Sequence, residues 1–244
     1  MDKSSADSPH KFLTLDALRG VAAIVVVAFH LFHFIYGGKV IAHGYLAVDF
    51  FFLLSGFVLA LAYQDRLDAG WSTRSFLKVR LIRLYPLYIL GIVLGLATAM
   101  RLAKFGAATQ SLRMYAILAG LAVFMLPNVS LPMADAYPLD FPVWSLIVEI
   151  LANLFHGIAL RRRSDRFLAG IVIVSGLLLL GSVKLTGTMD FGSGSGYLTL
   201  TLPRILFSYT LGMLLFRVWK RGKLRFHIPF LLSPVLLILA LTMP

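Results

Sequence analysis

Arg19 and His30 lie in one apolar stretch, Leu15-Asp16-Ala17-Leu18-Arg19-Gly20-Val21 running on to Phe29-His30. An arginine inside a membrane helix costs about 2.5–3.5 kcal/mol on insertion scales, so such a residue normally has a task. Eleven residues turn a helix through about 1100°, within roughly 20° of three full turns. The two side chains therefore share a face, about 16 Å apart along the axis. One helix carries a fixed cation toward one side of a bilayer and a titratable base toward the other. Two carboxylates join them, Asp49 in Val48-Asp49-Phe50-Phe51 and Glu149 in Val143-Trp144-Ser145-Leu146-Ile147-Val148-Glu149. Counted from the outer ends of their helices at 1.5 Å per residue, His30, Asp49 and Glu149 are expected at depths of about 9, 8 and 10 Å. A carboxylate at that level can fix an imidazole's tautomer and raise its basicity, which suits a general base. The three positions have no metal-ligand spacing.

A second group belongs to the inner side. Phe76-Leu77-Lys78-Val79-Arg80-Leu81-Ile82-Arg83-Leu84-Tyr85-Pro86 sets Arg80 and Arg83 at i, i+3, neighbours if helical. Two guanidinium forks there suit a phosphorylated ligand on the cytoplasmic side. Basic residues beside a membrane helix also commonly serve as topology anchors. His33 and His43 read as interfacial residues, Trp144 as an interfacial anchor, and Ser55 and Ser145 as helix-packing hydroxyls.

These residues need membrane helices to hold them. Fifty-nine per cent of the 244 residues are hydrophobic and the mean hydropathy is +0.85, which excludes an ordinary soluble domain. The expected fold is all-α: a polytopic transmembrane bundle, one domain over 1–244. The net charge of +12 would suit nucleic acid. However, the basic residues cluster between apolar segments in the positive-inside pattern, so no nucleic-acid partner is expected. The absence of cysteine excludes a thiol nucleophile, a disulfide framework and a thiolate metal site. Residues 1–36 lack the form of a cleaved signal peptide, because the apolar run is long and holds Arg19.

Met1 to Lys11 reads as a polar tail. Helices are expected from about Leu13 to Tyr36, ended by Gly37-Gly38, and then over Gly44–Tyr63, Pro142–Leu160, Phe167–Leu185, Tyr197–Val218 and Ile228–Met243. Asp140 reads as a cap before Pro142. Gly192-Ser193-Gly194-Ser195-Gly196 reads as a flexible loop, and Gly91 and Gly95 as helix-packing positions. The N-terminus, 65–83, 161–166 and 217–225 are basic and expected in the cytoplasm. Residues 127–141 and 186–197 hold no lysine or arginine and are expected outside. Arg101, Lys104 and Arg113 favour the inside, so 84–100 is expected to dip into the membrane and return, with about 112–126 making the crossing. That gives about seven spans plus a re-entrant segment.

The ordered motifs resemble the membrane acyltransferase 3 family, which O-acylates bacterial surface polysaccharides, peptidoglycan and secondary metabolites. The resemblance rests on Leu15–Gly20 with His30 eleven residues after Arg19, Val48–Phe57, Arg80-x-x-Arg83 with Pro86, and Trp144-Ser145-Leu146 with Val148-Glu149. It spans residues 15–155. The continuation Ile150-Leu151-Ala152-Asn153-Leu154-Phe155 is most similar to the exopolysaccharide-modifying branch.

The resemblance implies a multi-pass protein of the bacterial inner membrane with a cytoplasmic N-terminus. It implies transfer of an acyl group, usually acetyl, from cytoplasmic acyl-CoA to a carbohydrate hydroxyl outside, with no permanently bound cofactor. His30 matches the family's essential histidine, Arg19 its paired arginine, Arg80 and Arg83 the donor-associated pair, and Glu149 the acidic residue of the Trp-Ser-Leu motif. In that scheme His30 is the base, Asp49 or Glu149 orients it, and Arg19 faces the donor or steadies the oxyanion. Two departures stand out. Ile150 occupies the place of a second acidic residue, and members usually have about ten helices in a longer chain than one ending at Pro244. An inactive short member, or a transporter or flippase using the same intramembrane charges, are the rival expectations.

Overall fold

The computed structural model describes residues 10–36, 41, 43–106, 110–128, 135–192, 194, 198–223 and 232–242. Its elements are α1 (His10–Tyr36), α2 (Leu46–Asp68), α3 (Thr73–Lys104), α4 (Leu112–Val123), α5 (Trp144–Phe155), α6 (Asp165–Thr186), α7 (Leu198–Lys220) and α8 (Leu232–Thr242). A 3-10 turn, Phe141–Val143, leads into α5, and a π-helical turn, His156–Leu160, continues it. Among the described residues five of these stretches are long and apolar enough to cross a membrane: Thr14–His33, Leu46–Asp68, Thr73–Lys104, Phe141–Leu160 and Asp165–Thr186. The Gly37-Gly38 stop, most of the polar tail, and all of the glycine-serine loop except Gly192 and Gly194 lie outside the described residues, as does the start of the last expected helix.

The chain divides into two compact units, Met1–Leu61 with Ser208–Pro244, and Ala62–Phe207. The first packs through small residues. Ala22 and Val25 of α1, Ala47 of α2 and Leu241 of α8 form a buried cluster, with Phe50 and Phe51 against it. A methyl group on Gly44 would fall 2.7 Å from the Phe29 Cβ, so the start of α2 lies against that turn of α1. Gly56 sits under the Tyr209 carbonyl and Gly212 under the Leu53 carbonyl. These two contacts share one antiparallel register, with the α2 and α7 backbones touching. In lipid, where apolar burial between helices counts for little, such close approach supplies the packing. Gly56→Leu is expected to cost about 1–3 kcal/mol by overpacking. Gly120→Leu, built into open space, is the control. Equal heat stability of the two detergent-solubilised variants would contradict the contact.

The second unit is organised on α3. This helix begins at Ser72, whose hydroxyl accepts from the Ser75 N–H at 3.1 Å, and runs unbroken through Pro86 to Lys104. The expected dip and return at 84–100 is therefore corrected: those residues form part of one continuous 32-residue helix. Pro86 removes a single N–H, which a membrane helix tolerates. At about 48 Å the helix exceeds the roughly 30 Å hydrocarbon core, so it is long and apolar enough to cross once with tilt or overhang. A single crossing puts its two ends on opposite sides, against the expectation that 65–83 and 101–113 share one. Because the chain has no cysteine, Arg74→Cys and Lys104→Cys each provide a sole thiol. An impermeant maleimide applied to intact, oriented vesicles is expected to label one and not the other; labelling of both from the same side would contradict a single crossing.

The short α4 returns alongside α3. Its last carbonyls are taken by α3 hydroxyls: Tyr85 donates to Val123 O at 2.8 Å, and Tyr88 donates to Ala122 O. The helix closes with Leu126 N–H on Leu121 O at 3.0 Å and Met125 N–H on Ala122 O at 2.8 Å. This Schellman-type ending puts Met125 at φ 56, a conformation usually left to glycine.

Candidate functional site

In the first unit, α1 is helical throughout, so Arg19 and His30 share its face as their spacing requires. Arg19 Nη1 donates to Asp16 Oδ1 at 3.3 Å, a partner three residues back on the same helix. That pair is partly exposed and restrains the guanidinium only lightly. His30 is half-buried, with its ring 5.3 Å from that of Phe29 in an edge-on arrangement. Asp49 is half-buried in the first turn of α2. With Gly44 against Phe29, helical rise sets the Asp49 Cα about 9 Å below that of His30. Side chains lean toward the N-terminus of their own helix, so on antiparallel neighbours these two lean toward one another.

In the second unit, the descent of α5 along α3 can be followed residue by residue. The Asp140 carboxylate lies over Gly91, and the Leu139 carbonyl over Gly95. Arg80 Nη2 donates to Glu149 Oε1 at 2.8 Å. Thr73 Oγ1 donates to Gly157 O at 2.9 Å, and Gly157 packs on the Thr73 methyl group. The π-helical turn at His156–Leu160 occurs where this last contact closes; such turns recur at specialised positions in helices. These contacts keep one antiparallel register across the lower two-thirds of α3.

That register corrects the depth assigned to Glu149. The count from the helix end assumed that α5 starts at the outer surface. Asp140, just ahead of it, lies level with Gly91, and the segment before it is folded into the protein: Asn128, Ala136 and Tyr137 are buried. Glu149 and Arg80 therefore sit at one level rather than on opposite sides. Asp140 precedes the 3-10 turn but makes no side-chain cap bond; its carboxylate covers Gly91 instead.

The two arginines of the i, i+3 pair also differ. Both lie on α3, but Arg80 is buried and Arg83 is exposed. Only 7% of the Arg80 side chain and 19% of Glu149 is exposed, so this is a shielded ion pair. Arg161, from the basic stretch 161–166 expected in the cytoplasm, folds back to donate to Leu67 O at 2.9 Å and Trp71 O at 3.4 Å, closing the end of α2. Ser145 makes a local bond, donating to Pro142 O at 3.0 Å.

Arg204 escaped the sequence reading. It is fully buried in α7, donates Nη1 to Phe191 O at 2.6 Å, and holds its guanidinium 5.6 Å from the centre of the Trp144 ring. Trp144, expected at an interface, is buried, with Gly192 flush against its indole. The signal was present: a lone arginine inside an apolar run carries the same insertion cost as Arg19.

Comparison with known proteins adds the chemistry. The chain matches the family model described as an acyltransferase domain over residues 12–244. It is 36% identical over 187 residues to "Protein 2 in picA locus" of Rhizobium radiobacter, a match covering 72% of this chain and 96% of that relative. No solved structure matches.

Proposed function

The chain belongs to the acyltransferase 3 family and is a multi-pass membrane acyltransferase, and from that premise we propose that it moves an acyl group, acetyl in the first instance, from cytoplasmic acyl-CoA to a hydroxyl of an extracytoplasmic carbohydrate. The observation that carries this reading is a half-buried histidine and an arginine on one face of a membrane-length helix in a chain of this family. The setting is the bacterial inner membrane with the N-terminus in the cytoplasm. The acceptor class is the exopolysaccharide type that Ile150–Phe155 most resembles.

In this mechanism His30 takes the proton of the acceptor hydroxyl as its oxygen attacks the thioester carbonyl. The tetrahedral intermediate collapses, the carbon–sulfur bond breaks, and the CoA thiolate recovers the proton from the imidazolium. Asp49, in the same unit as His30, orients the ring and offsets its charge. Arg80 and Arg83 hold donor phosphates as guanidinium forks. Arg19 faces the donor or steadies the oxyanion.

Purified protein supplied with acetyl-CoA and an oligosaccharide acceptor tests the reading. Released CoA is read with a thiol reagent, to which a chain without cysteine contributes nothing, and the acceptor by mass spectrometry. Acceptor-dependent CoA release with a mass gain of one acetyl group is expected. Vectorial movement of the carbohydrate without acyl-CoA consumption would replace this reading with transport.

A further inference from the structure

We propose that Glu149 is a positioning residue for Arg80, holding that guanidinium in place for the donor's phosphates, rather than a partner of the base. This rests on the donor-binding reading of Arg80.

Three observations carry it. First, the bond is short and shielded: Arg80 Nη2 to Glu149 Oε1 is 2.8 Å, with the side chains 7% and 19% exposed. Second, the carboxylate is delivered by backbone packing on both sides. Gly91 against Asp140 lies on one side, and Gly157 against Thr73 on the other. Glu149 and Arg80 lie between these close contacts, where α5 has little freedom to slide on α3. Third, the guanidinium is only partly satisfied. Its Nε is buried with no hydrogen-bond partner among the described residues. An arginine has five N–H donors in a rigid fork. A buried donor without a partner is costly by itself, which puts weight on the charged bond that Nη2 makes to Glu149. Arg83, exposed one turn on, supplies a second cation without such restraint.

The carboxylate has two opposed effects on a phosphate. Its charge repels the ligand, while its bond fixes the fork. The geometry favours the second effect. Without Glu149, a long, flexible cation in a mostly apolar wall has no anchor and turns toward water. The ordering cost then falls on donor binding.

The test is a double-mutant cycle on the full-length protein in detergent or nanodiscs, read as KM for acetyl-CoA, kcat, and CoA binding by calorimetry. Glu149→Gln is expected to raise the donor KM and weaken CoA binding about tenfold, with kcat within about threefold and the acid limb of the kcat–pH profile unmoved. In an Arg80→Gln background the same change is expected to add nothing, because Glu149 acts through Arg80. Arg80→Gln with Glu149→Gln keeps the buried pair neutral and hydrogen-bonded, so that corner of the cycle holds no stranded charge. A drop in kcat with a shifted acid limb would assign Glu149 to the base and overturn the proposal. So would additive effects, or a lower donor KM in Glu149→Gln. If wild-type protein turns over yet does not bind CoA, the donor reading fails as well; if it binds CoA and the cycle is additive, this inference alone fails.

Discussion

His30→Ala is expected to reduce acyl transfer by about 10²–10⁴-fold, the usual contribution of a general base, with expression and thermal stability close to wild type. The residue is half-buried rather than part of the core, and it contacts the Phe29 ring edge-on. His30→Gln, which keeps a hydrogen-bonding group but cannot take the proton, is expected to be equally inactive. His33→Ala, one turn on and exposed, is the control, with turnover unchanged. The readout is acceptor-dependent CoA release by purified variants of equal thermal midpoint. Turnover by His30→Gln within tenfold of wild type would remove the base assignment and leave His30 a structural residue.

The second large effect separates two arginines that the sequence treats alike. Arg83→Ala is expected to raise the donor KM while leaving the folded state intact, because the side chain is exposed on α3. Arg80→Ala is expected to do more. It takes the ion-pair partner from a shielded Glu149 carboxylate, and removing one member of a buried pair typically costs about 3–5 kcal/mol. The expected result is a lower thermal midpoint and poor recovery in detergent, in addition to weak donor use. Arg80→Met with Glu149→Leu removes both charges with similar volume and is expected to recover most of the stability but not the donor affinity. Equal thermal midpoints for Arg80→Ala and Arg83→Ala would show that the pair adds nothing to the fold.

That contrast marks where local pattern stops being sufficient. Arg80 and Arg83 are three residues apart, and their placement on one helix follows from period alone. Which of them is buried follows from the arrival of Glu149, 69 residues later in the chain. The expected re-entrant segment failed for a related reason. Arg101 and Lys104 carry the charge pattern of a cytoplasmic loop, yet α3, capped at Ser72, stays helical past Pro86 to Lys104 with the loss of one N–H. Backbone hydrogen bonds that must be met inside a membrane outweigh a statistical preference for where lysine and arginine lie.

Composition and periodicity by themselves determined that this chain is a helical membrane protein, that Arg19 and His30 share a helix face, and that Gly91 and Gly95 are packing positions. The first two depend only on interactions within one helix or between a helix and its solvent; the glycines were legible as small residues of an apolar helix, while their partners, Leu139 and Asp140, were not. The tertiary structure decided the rest. It set the level at which α5 meets α3, the pairing of Glu149 with Arg80, and the burial of Arg204 against Trp144. Depth counted along a helix is meaningful only if the helix begins at the membrane surface. Here the segment before α5 is folded inside, and only packing between distant residues fixes how far.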